Sequence, residues 1–315
     1  MKLKLFTHND LDGVANVILA KQLIEYGIYD ELDYETCNYK DINERVLKYL
    51  ETPEDNTDLI ITDISVNEEV AEILDKTNIK KQLFDHHATA LNLNKYSWCK
   101  VETIRKDSVS IDNPDGFKIS ATNIFFNTIV QPQLILKWNR EQAFEITKFV
   151  FLVDEYDTWA WESNETIEAK RLNDLLYIKG IEKFIENITE KINEGLELFD
   201  ENDNTLLDRK QMLIDYYILK KEKEMITIDI ENLKAGVVYA EEYISELASQ
   251  ILKINKDLDI MIVINGNQIS FRTRKDNVNV AKLAQKYGGG GHFKASGCTF
   301  TDEMKKRAFN SIFNV

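Results

Sequence analysis

The sequence predicts an α/β protein of two domains: the first has a parallel sheet with helices on both faces, and the second is smaller, with a mixed sheet. Short apolar runs alternate with segments of helical spacing in the N-terminal part of the chain, which is typical of a parallel sheet. From residue 225 onward the pattern changes to short β-like runs separated by helical stretches. A chain of 315 residues also exceeds the usual size of one compact domain.

The N-terminal strands are predicted from short apolar runs that end abruptly in polar residues. Segments with apolar residues at helical spacing lie between these runs, and this alternation predicts a Rossmann-like domain. The predicted strands are 2–7, 59–63 and 81–87, and the predicted helices are 13–27, 41–52 and 67–77.

The middle of the chain is predicted to be helical and its last part mixed. A helical pattern with interleaved acidic and basic residues predicts a linker at 190–224, which separates a first domain at 1–189 from a second domain at 225–315. The further predicted helices are 120–130, 140–153, 164–224, 241–253, 278–287 and 302–312, and the further predicted strands are 225–230, 235–239, 260–264 and 268–272.

The composition limits the partners that the protein can have. The net charge is −15 and there is no overall basic stripe for a long nucleic-acid backbone, so we expect a small or short substrate. No apolar run reaches the roughly 18 residues that a membrane-spanning helix needs. The three cysteines form no CxxC pair, which indicates a reducing compartment without a disulfide framework. We therefore expect a cytoplasmic protein with no membrane partner.

Polar residues cluster at the ends of three predicted strands. His8, Asp10 and Asp12 follow the first strand at a spacing of two, which places them on one face of an extended segment. Asp63 ends the second strand, and Asp85-His86-His87 ends the third. Ligands of open parallel sheets bind outside the carboxyl ends of the strands, so these side chains are expected to form one site. A capped strand-to-helix loop is the alternative for the first cluster, and a helix N-cap is the alternative for Asp63.

The combination of residue types predicts two divalent cations. Asp154 ends an apolar helical run, and Asp157 follows three residues later, so the chain offers several carboxylates besides two imidazoles. Two cations bridged by one carboxylate suit in-line phosphoryl chemistry. Mixed imidazole and carboxylate ligands favour Mn²⁺, or Fe, Co or Zn, over Mg²⁺. Of the two adjacent histidines, His86 and His87, one can bind metal while the other faces the substrate, and Asp85 can orient an imidazole.

A glycine-rich segment at 288–297 predicts an anion-binding loop in the second domain. Its four consecutive glycines expose backbone N–H groups and allow an anion to approach closely, and His292 and Lys294 can add charge or hydrogen bonds. The alternatives are a flexible linker and a helix C-cap. A linker fits poorly, because the segment runs on into Ala-Ser-Gly and a strand.

Taken together, these motifs resemble those of the DHH phosphoesterase family with its DHH-associated C-terminal domain. The third cluster matches the motif that names the family, and the motifs follow one another in the family's order over nearly the whole chain. One departure is Ser296, which stands where the family often has alanine. The matching segments are His8-x-Asp10-x-Asp12-Gly13, Asp63, Asp85-His86-His87, Asp154, Ser270-Phe271-Arg272-Thr273 and Gly288–Gly297.

The resemblance implies a role for each residue of the site. The domain at 1–189 would hold the metals and carry out catalysis, and the domain at 225–315 would bind the substrate. Asp63 would bridge the two Mn²⁺ ions, and Asp154 is preferred to Asp157 as the fourth motif because it directly ends the apolar run. The implied ligands are His8, Asp10 and Asp63 for one ion and Asp12, Asp63, His86 and Asp154 for the other; the implied catalytic residues are His87 and Asp85; the implied substrate-binding residues are Arg272, Gly289, Gly290, Gly291 and His292.

The activity expected from this resemblance is hydrolysis of short oligonucleotides, of the nanoRNase or 3′-5′ exonuclease type, with adenosine bisphosphate as a further candidate substrate. A cyclic dinucleotide phosphodiesterase and a catalytically inactive nucleotide-binding protein are the alternatives, and an inorganic pyrophosphatase fits the second domain less well. Trp159 and Trp161 would either stack on a base or fill the core between helices. The expected partner is a short oligonucleotide or a nucleotide, and a homodimer is a candidate assembly.

Overall fold

The computed structural model describes residues 1–108 and 115–313. The chain forms two compact units, Met1–Leu207 and Asp208–Val315. The boundary between them falls within a long helix, α9 (Glu201–Glu224), which lies inside the linker expected at 190–224. No helix in the described parts of the chain is both long enough and apolar enough to cross a membrane.

The first unit is built on a five-stranded sheet in the order β2-β1-β3-β4-β5, and all of its strand pairs are parallel. All three strands predicted in this region are confirmed, and they form the centre of the sheet. The strands are β1 (Lys2–His8), β2 (Glu31–Cys37), β3 (Thr57–Thr62), β4 (Lys81–Asp85) and β5 (Cys99–Val101).

Helices cover both faces of this sheet. Leu3 and Leu5 of β1 pack into a core formed with α1, α4, α6, α7 and α8, while Phe6 points to the opposite core with α2 and α3, as the alternation of side chains along a strand requires. The helices are α1 (Leu11–Glu25), α2 (Ile42–Glu51), α3 (Glu68–Asp75), α4 (Ala121–Phe125), a π-helical turn (Phe126–Val130), α5 (Gln131–Leu134), α6 (Arg140–Asp157), α7 (Ile167–Lys179) and α8 (Ile181–Glu194), with 3₁₀ turns at Ala88–Lys95, Lys106–Ser108 and Ala160–Glu162.

The second unit contains a six-stranded mixed sheet in the order β10-β11-β9-β8-β7-β6. Among its described strands only the pair β7–β8 is parallel, next to the edge strand β6, and the remaining pairs are antiparallel. The predicted fold class, a parallel sheet followed by a smaller mixed one, is therefore confirmed. The elements after α9 are β6 (Ile226–Ile230), β7 (Leu233–Tyr239), α10 (Ile244–Ile254), β8 (Ile260–Asn265), β9 (Gln268–Arg272), α11 (Val280–Lys286), β10 (Gly290–Gly291), β11 (Ala295–Thr299) and α12 (Asp302–Phe313).

Candidate metal centre

The loop between β1 and α1 places three predicted ligands at the carboxyl edge of the first sheet. Asp10 is the N-cap of α1, and its side chain accepts a hydrogen bond from the Gly13 N–H at 3.1 Å. Asp12 is buried, and its two carboxylate oxygens accept the N–H groups of Ala121 and Thr122, each at 2.8 Å. These N–H groups belong to the first residues of α4, where a helix favours negative charge. The backbone at the start of α4 therefore fixes the position of the Asp12 side chain.

Gly13 allows α1 to begin directly beside His8. A Cβ atom at this position would lie 2.1 Å from the carbonyl oxygen of His8, far inside van der Waals contact. A glycine at this position is therefore a steric requirement of the loop.

Asp63 occupies the centre of the site. It follows β3, is only 1% exposed and has a φ of +57°, a left-handed conformation that is uncommon outside glycine. Its N–H donates to the carbonyl oxygen of Phe84 at 2.9 Å, which ties this turn to the neighbouring strand β4. Such a strained and buried carboxylate is typical of a functional position.

The structure brings the candidate ligands together in three overlapping groups, within each of which one ligand atom per residue lies within 4.8 Å of the others. Asp63 belongs to two of the groups and His86 to two, so the groups adjoin one another. The groups are His8, Asp10 and Asp63; Asp63, Asp85, His86 and His87; and Asp12, His86 and Asp157.

His86 lies between carboxylates without forming hydrogen bonds to them. Its Nε2 is 3.3 Å from Asp63 Oδ1 and 3.8 Å from Asp12 Oδ2, and its Nδ1 is 3.5 Å from Asp157 Oδ2. Within the described part of the chain, Asp63 Oδ2, His86 Nε2 and Asp157 Oδ2 are buried without a hydrogen-bond partner. Because buried polar atoms normally have partners, these unpaired atoms fit ligands that face a cation.

The pKa values of the carboxyl groups also suit a site that binds a cation. Burial, together with repulsion from Asp12 and Asp10, raises the pKa of Asp63 well above its usual range. The same causes raise the pKa of Asp157 to about 9. Carboxyl groups this close cannot all ionise alone, and a divalent cation would remove that penalty.

Asp157, and not Asp154, lies with Asp12 and His86. The Asp154 carboxylate is engaged elsewhere: it accepts the N–H of Ser120 at 2.8 Å and forms an ion pair with Arg105. Both residues lie on α6, but they are three positions apart and reach different partners. Of the two carboxylates that the sequence offered, Asp157 is therefore the one that the structure places beside Asp12 and His86.

His87 is part of a hydrogen-bonded chain. Asp85 Oδ1 accepts the backbone N–H groups of His86 and His87 and lies 2.7 Å from Nδ1 of the His87 ring. Its other oxygen accepts a hydrogen bond from Ser65. The hydrogen bond with Asp85 raises the pKa of His87. On the other side of the ring, Nε2 lies 3.0 Å from the hydroxyl of Tyr39, a residue that no sequence motif indicated.

In the second unit, Arg272 lies on β9. Its guanidinium is half-buried, and its hydrogen-bond partners are uncharged. Its guanidinium donates to the carbonyl oxygens of Phe271 and Ser296 at 3.1 and 3.3 Å. Burial lowers the pKa of Arg272. A guanidinium that is partly withdrawn from water and bonded only to neutral oxygens is well suited to binding an anion.

The glycine-rich segment forms β10 and the turn that follows it. Gly289 packs so tightly that a Cβ atom would lie 2.1 Å from the Gly297 carbonyl oxygen, whereas Gly290 has open space around it. His292 is exposed at the turn, and its backbone N–H donates to Ala295 at 2.8 Å. Lys294 forms an ion pair with Asp276 at 2.7 Å. The structure thus exposes Gly290, Gly291 and His292 and uses Gly289 for packing.

The two tryptophans after Asp157 differ in their environment. Trp161 packs against the core of the first unit, which is the second of the two roles expected for it. Trp159 is 46% exposed at a left-handed φ of +60°, and its Nε1 donates to Glu162 at 3.0 Å. Trp159 therefore remains the candidate for contact with a base.

The chain is similar to known proteins in both sequence and fold. The DHHA1 domain family matches residues 234–314. Oligoribonuclease NrnB of Bacillus subtilis (strain 168) is 35% identical over 320 residues, which cover 99% of this chain and 76% of that protein.

Solved structures of several proteins share the fold. A pGpG-specific phosphodiesterase, PggH of Vibrio cholerae, superposes with a TM-score of 0.56 at 16% identity over 99% of this chain and 98% of its own. RecJ of Thermus thermophilus in complex with Mn²⁺ superposes with a TM-score of 0.53 at 16% identity over 98% of this chain and 51% of its own. The resemblance found in the motifs is thus confirmed over the length of the sequence: the chain belongs to the DHH family of phosphoesterases and carries a DHHA1 domain.

Proposed function

We propose that this protein is a metal-dependent phosphodiesterase that hydrolyses short oligonucleotides, of the nanoRNase type. The observation that carries the proposal is the set of three adjoining donor groups, in which Asp63 joins the first two, His86 joins the last two, and Asp63 Oδ2 is buried without a partner. The mixture of imidazole and carboxylate donors suits Mn²⁺. His8, Asp10 and Asp63 would hold one ion, and Asp12, Asp63, His86 and Asp157 would hold the second.

Two bound cations would supply charge neutralisation for the attacking and leaving oxygens of a phosphodiester. The remaining residues of the site orient the substrate. His87 is fixed by Asp85 with Nε2 directed away from the carboxylate, so this is the ring atom that can act on a phosphate oxygen, either directly or through the Tyr39 hydroxyl 3.0 Å away. Asp85 itself does not contact the phosphate in this scheme; its hydrogen bonds set the orientation of His87 and of the backbone at His86.

A short oligonucleotide is the substrate that is best supported. The relative with 35% identity is an oligoribonuclease, and the net charge of −15 disfavours binding along a long nucleic acid. Arg272 would bind a terminal phosphate or nucleotide. The exposed backbone of Gly290 and Gly291 and the side chain of His292 would contribute to the same binding. Gly289 would contribute through packing of the loop.

The substrate class can be tested with the purified full chain and Mn²⁺. We expect mononucleotides to be released from di- to pentanucleotides, and a His86→Ala variant to serve as the inactive control. Cyclic dinucleotides, adenosine bisphosphate and pyrophosphate should be incubated in parallel. Cleavage of pyrophosphate alone would contradict the nuclease assignment, and no turnover of any substrate by a metal-loaded protein would favour the nucleotide-binding alternative.

The raised pKa values of Asp63 and Asp157 predict that metal binding releases protons at neutral pH. The pKa of Asp157 is about 9, so in the metal-free protein this carboxyl is protonated at pH 7, and a cation must displace the proton. Below about pH 9 the apparent affinity for Mn²⁺ should rise about tenfold per pH unit for each displaced proton. Calorimetric titrations in two buffers with different ionisation enthalpies measure this release; identical binding heats in both buffers would disprove it.

A further inference from the structure

Tyr39 lies in a rigid turn between β2 and α2. The Asn38 N–H donates to the Asp41 side chain at 2.7 Å, and the Asp41 N–H donates back to the Asn38 carbonyl oxygen at 3.0 Å. Asp41 is held in turn by Arg45 at 3.0 Å. The backbone that carries Tyr39 is therefore braced on both sides, while its side chain is 56% exposed.

The exposed side chain of Tyr39 rests on two histidines of the candidate centre. Its ring centroid lies 5.1 Å from that of His8 and 5.9 Å from that of His87. Its hydroxyl is 3.0 Å from Nε2 of His87. An aromatic side chain that is more than half exposed gains little from burial, so its contacts with these histidines require another explanation than core packing.

The hydrogen bonds define which atoms face the substrate. The Asp85 carboxylate only accepts, so Nδ1 of His87 must donate to it, and Nε2 is the ring atom that remains. The Tyr39 hydroxyl lies 3.0 Å from Nε2. The chain Ser65–Asp85–His87–Tyr39 thus ends at an exposed hydroxyl, which can rotate and has both donor and acceptor capacity.

We propose that the Tyr39 hydroxyl is a further substrate contact: its oxygen accepts the Nε2–H of His87, and its own O–H donates to an oxygen of the reacting phosphate. This proposal rests on the proposed phosphodiesterase function and adds a residue to it. Tyr39 and His87 then act as one unit, because each orients the other at the phosphate.

Tyr39→Phe tests the proposal because it removes only the hydroxyl. We expect kcat/KM on a dinucleotide to fall about 10- to 100-fold, the usual effect of losing a hydrogen bond to a charged group. Tyr216→Phe is the matched control: Tyr216 is a 71% exposed tyrosine on α9, and the variant should keep the wild-type rate. An unchanged rate for Tyr39→Phe would overturn the proposal.

A double-mutant cycle tests whether Tyr39 and His87 act together. In a His87→Ala background, adding Tyr39→Phe should lower kcat/KM by less than about threefold, because the unit is already broken. If the double variant instead shows the full product of the two single effects, Tyr39 acts independently of His87 and the proposal is overturned.

An NMR measurement distinguishes failure of this inference from failure of the proposed function. The chain has four histidines, so ¹⁵N-histidine labelling of the full Mg²⁺-loaded protein gives a simple spectrum. Tyr39→Phe should shift the Nε2 signal of His87, and Tyr216→Phe should not. An unshifted signal overturns the proposal whatever the activity. If wild-type protein cleaves no oligonucleotide, the proposed function has failed, and the resonance result still decides whether Tyr39 holds His87.

Discussion

Replacing Asp63 with asparagine should lower kcat on short oligonucleotides by about 10³-fold or more, the size of effect seen when an essential member of a catalytic unit is removed. Asp63 is the only residue in both of the proposed ligand sets, so one substitution weakens both. Asparagine keeps the size of the side chain and its compatibility with the left-handed φ of +57°. Steady-state kinetics with saturating Mn²⁺ measure the effect.

A buried aspartate on β3, the strand that precedes Asp63, provides the control. Asp58 lies in β3 five residues before Asp63, and it bonds to the Tyr29 hydroxyl at 2.8 Å and to Lys80 instead of the candidate centre. Asp58→Asn should therefore retain kcat, even if it lowers stability. An Asp63→Asn enzyme with the kinetics of wild type would refute the bridging role.

The pair Asp157→Asn and Asp154→Asn should separate metal binding from stability. Asp157→Asn should lower kcat by about 10²-fold or more through loss of a ligand and leave the unfolding free energy of the metal-free protein within about 1 kcal/mol of wild type. Its carboxyl, with a pKa of about 9, is neutral at pH 7, so asparagine changes little there. Asp154→Asn should lower the free energy of unfolding by about 1–3 kcal/mol, because it breaks the ion pair with Arg105.

Metal titration and denaturant unfolding of both variants distinguish the two roles. The assignment predicts weakened Mn²⁺ binding in Asp157→Asn and near-normal binding in Asp154→Asn. The reverse pattern would return the fourth-motif ligand to Asp154.

The central strands could be predicted because they are apolar runs buried on both faces. Strand β2 escaped prediction because its sequence, Glu-Leu-Asp-Tyr-Glu-Thr-Cys, is polar, as suits an edge strand. Its stability depends on contacts that only the fold reveals: buried Lys4 of β1 forms ion pairs with Asp33 and Glu35, each at 2.7 Å. Strand β5, with three residues, is too short to give a periodic pattern.

Most of the candidate site could be predicted because its residues stand at strand ends in a recognisable order. The sequence favoured Asp154 over Asp157, but both lie at the end of the same helix, and only the positions of Ser120 and Arg105 show that Asp154 is already engaged. Nothing in the sequence indicated that Tyr39 belongs to the site. It is an exposed tyrosine in a polar turn, and its contact with His87 joins residues 48 positions apart.

The number of Mn²⁺ ions bound per chain tests the central claim most directly. Equilibrium dialysis of the full-length protein, with bound metal measured by elemental analysis, should give two ions per chain for wild type and fewer than two for Asp63→Asn at the same free Mn²⁺ concentration. A wild-type value of one ion or none at saturation would contradict the two-cation centre joined by Asp63.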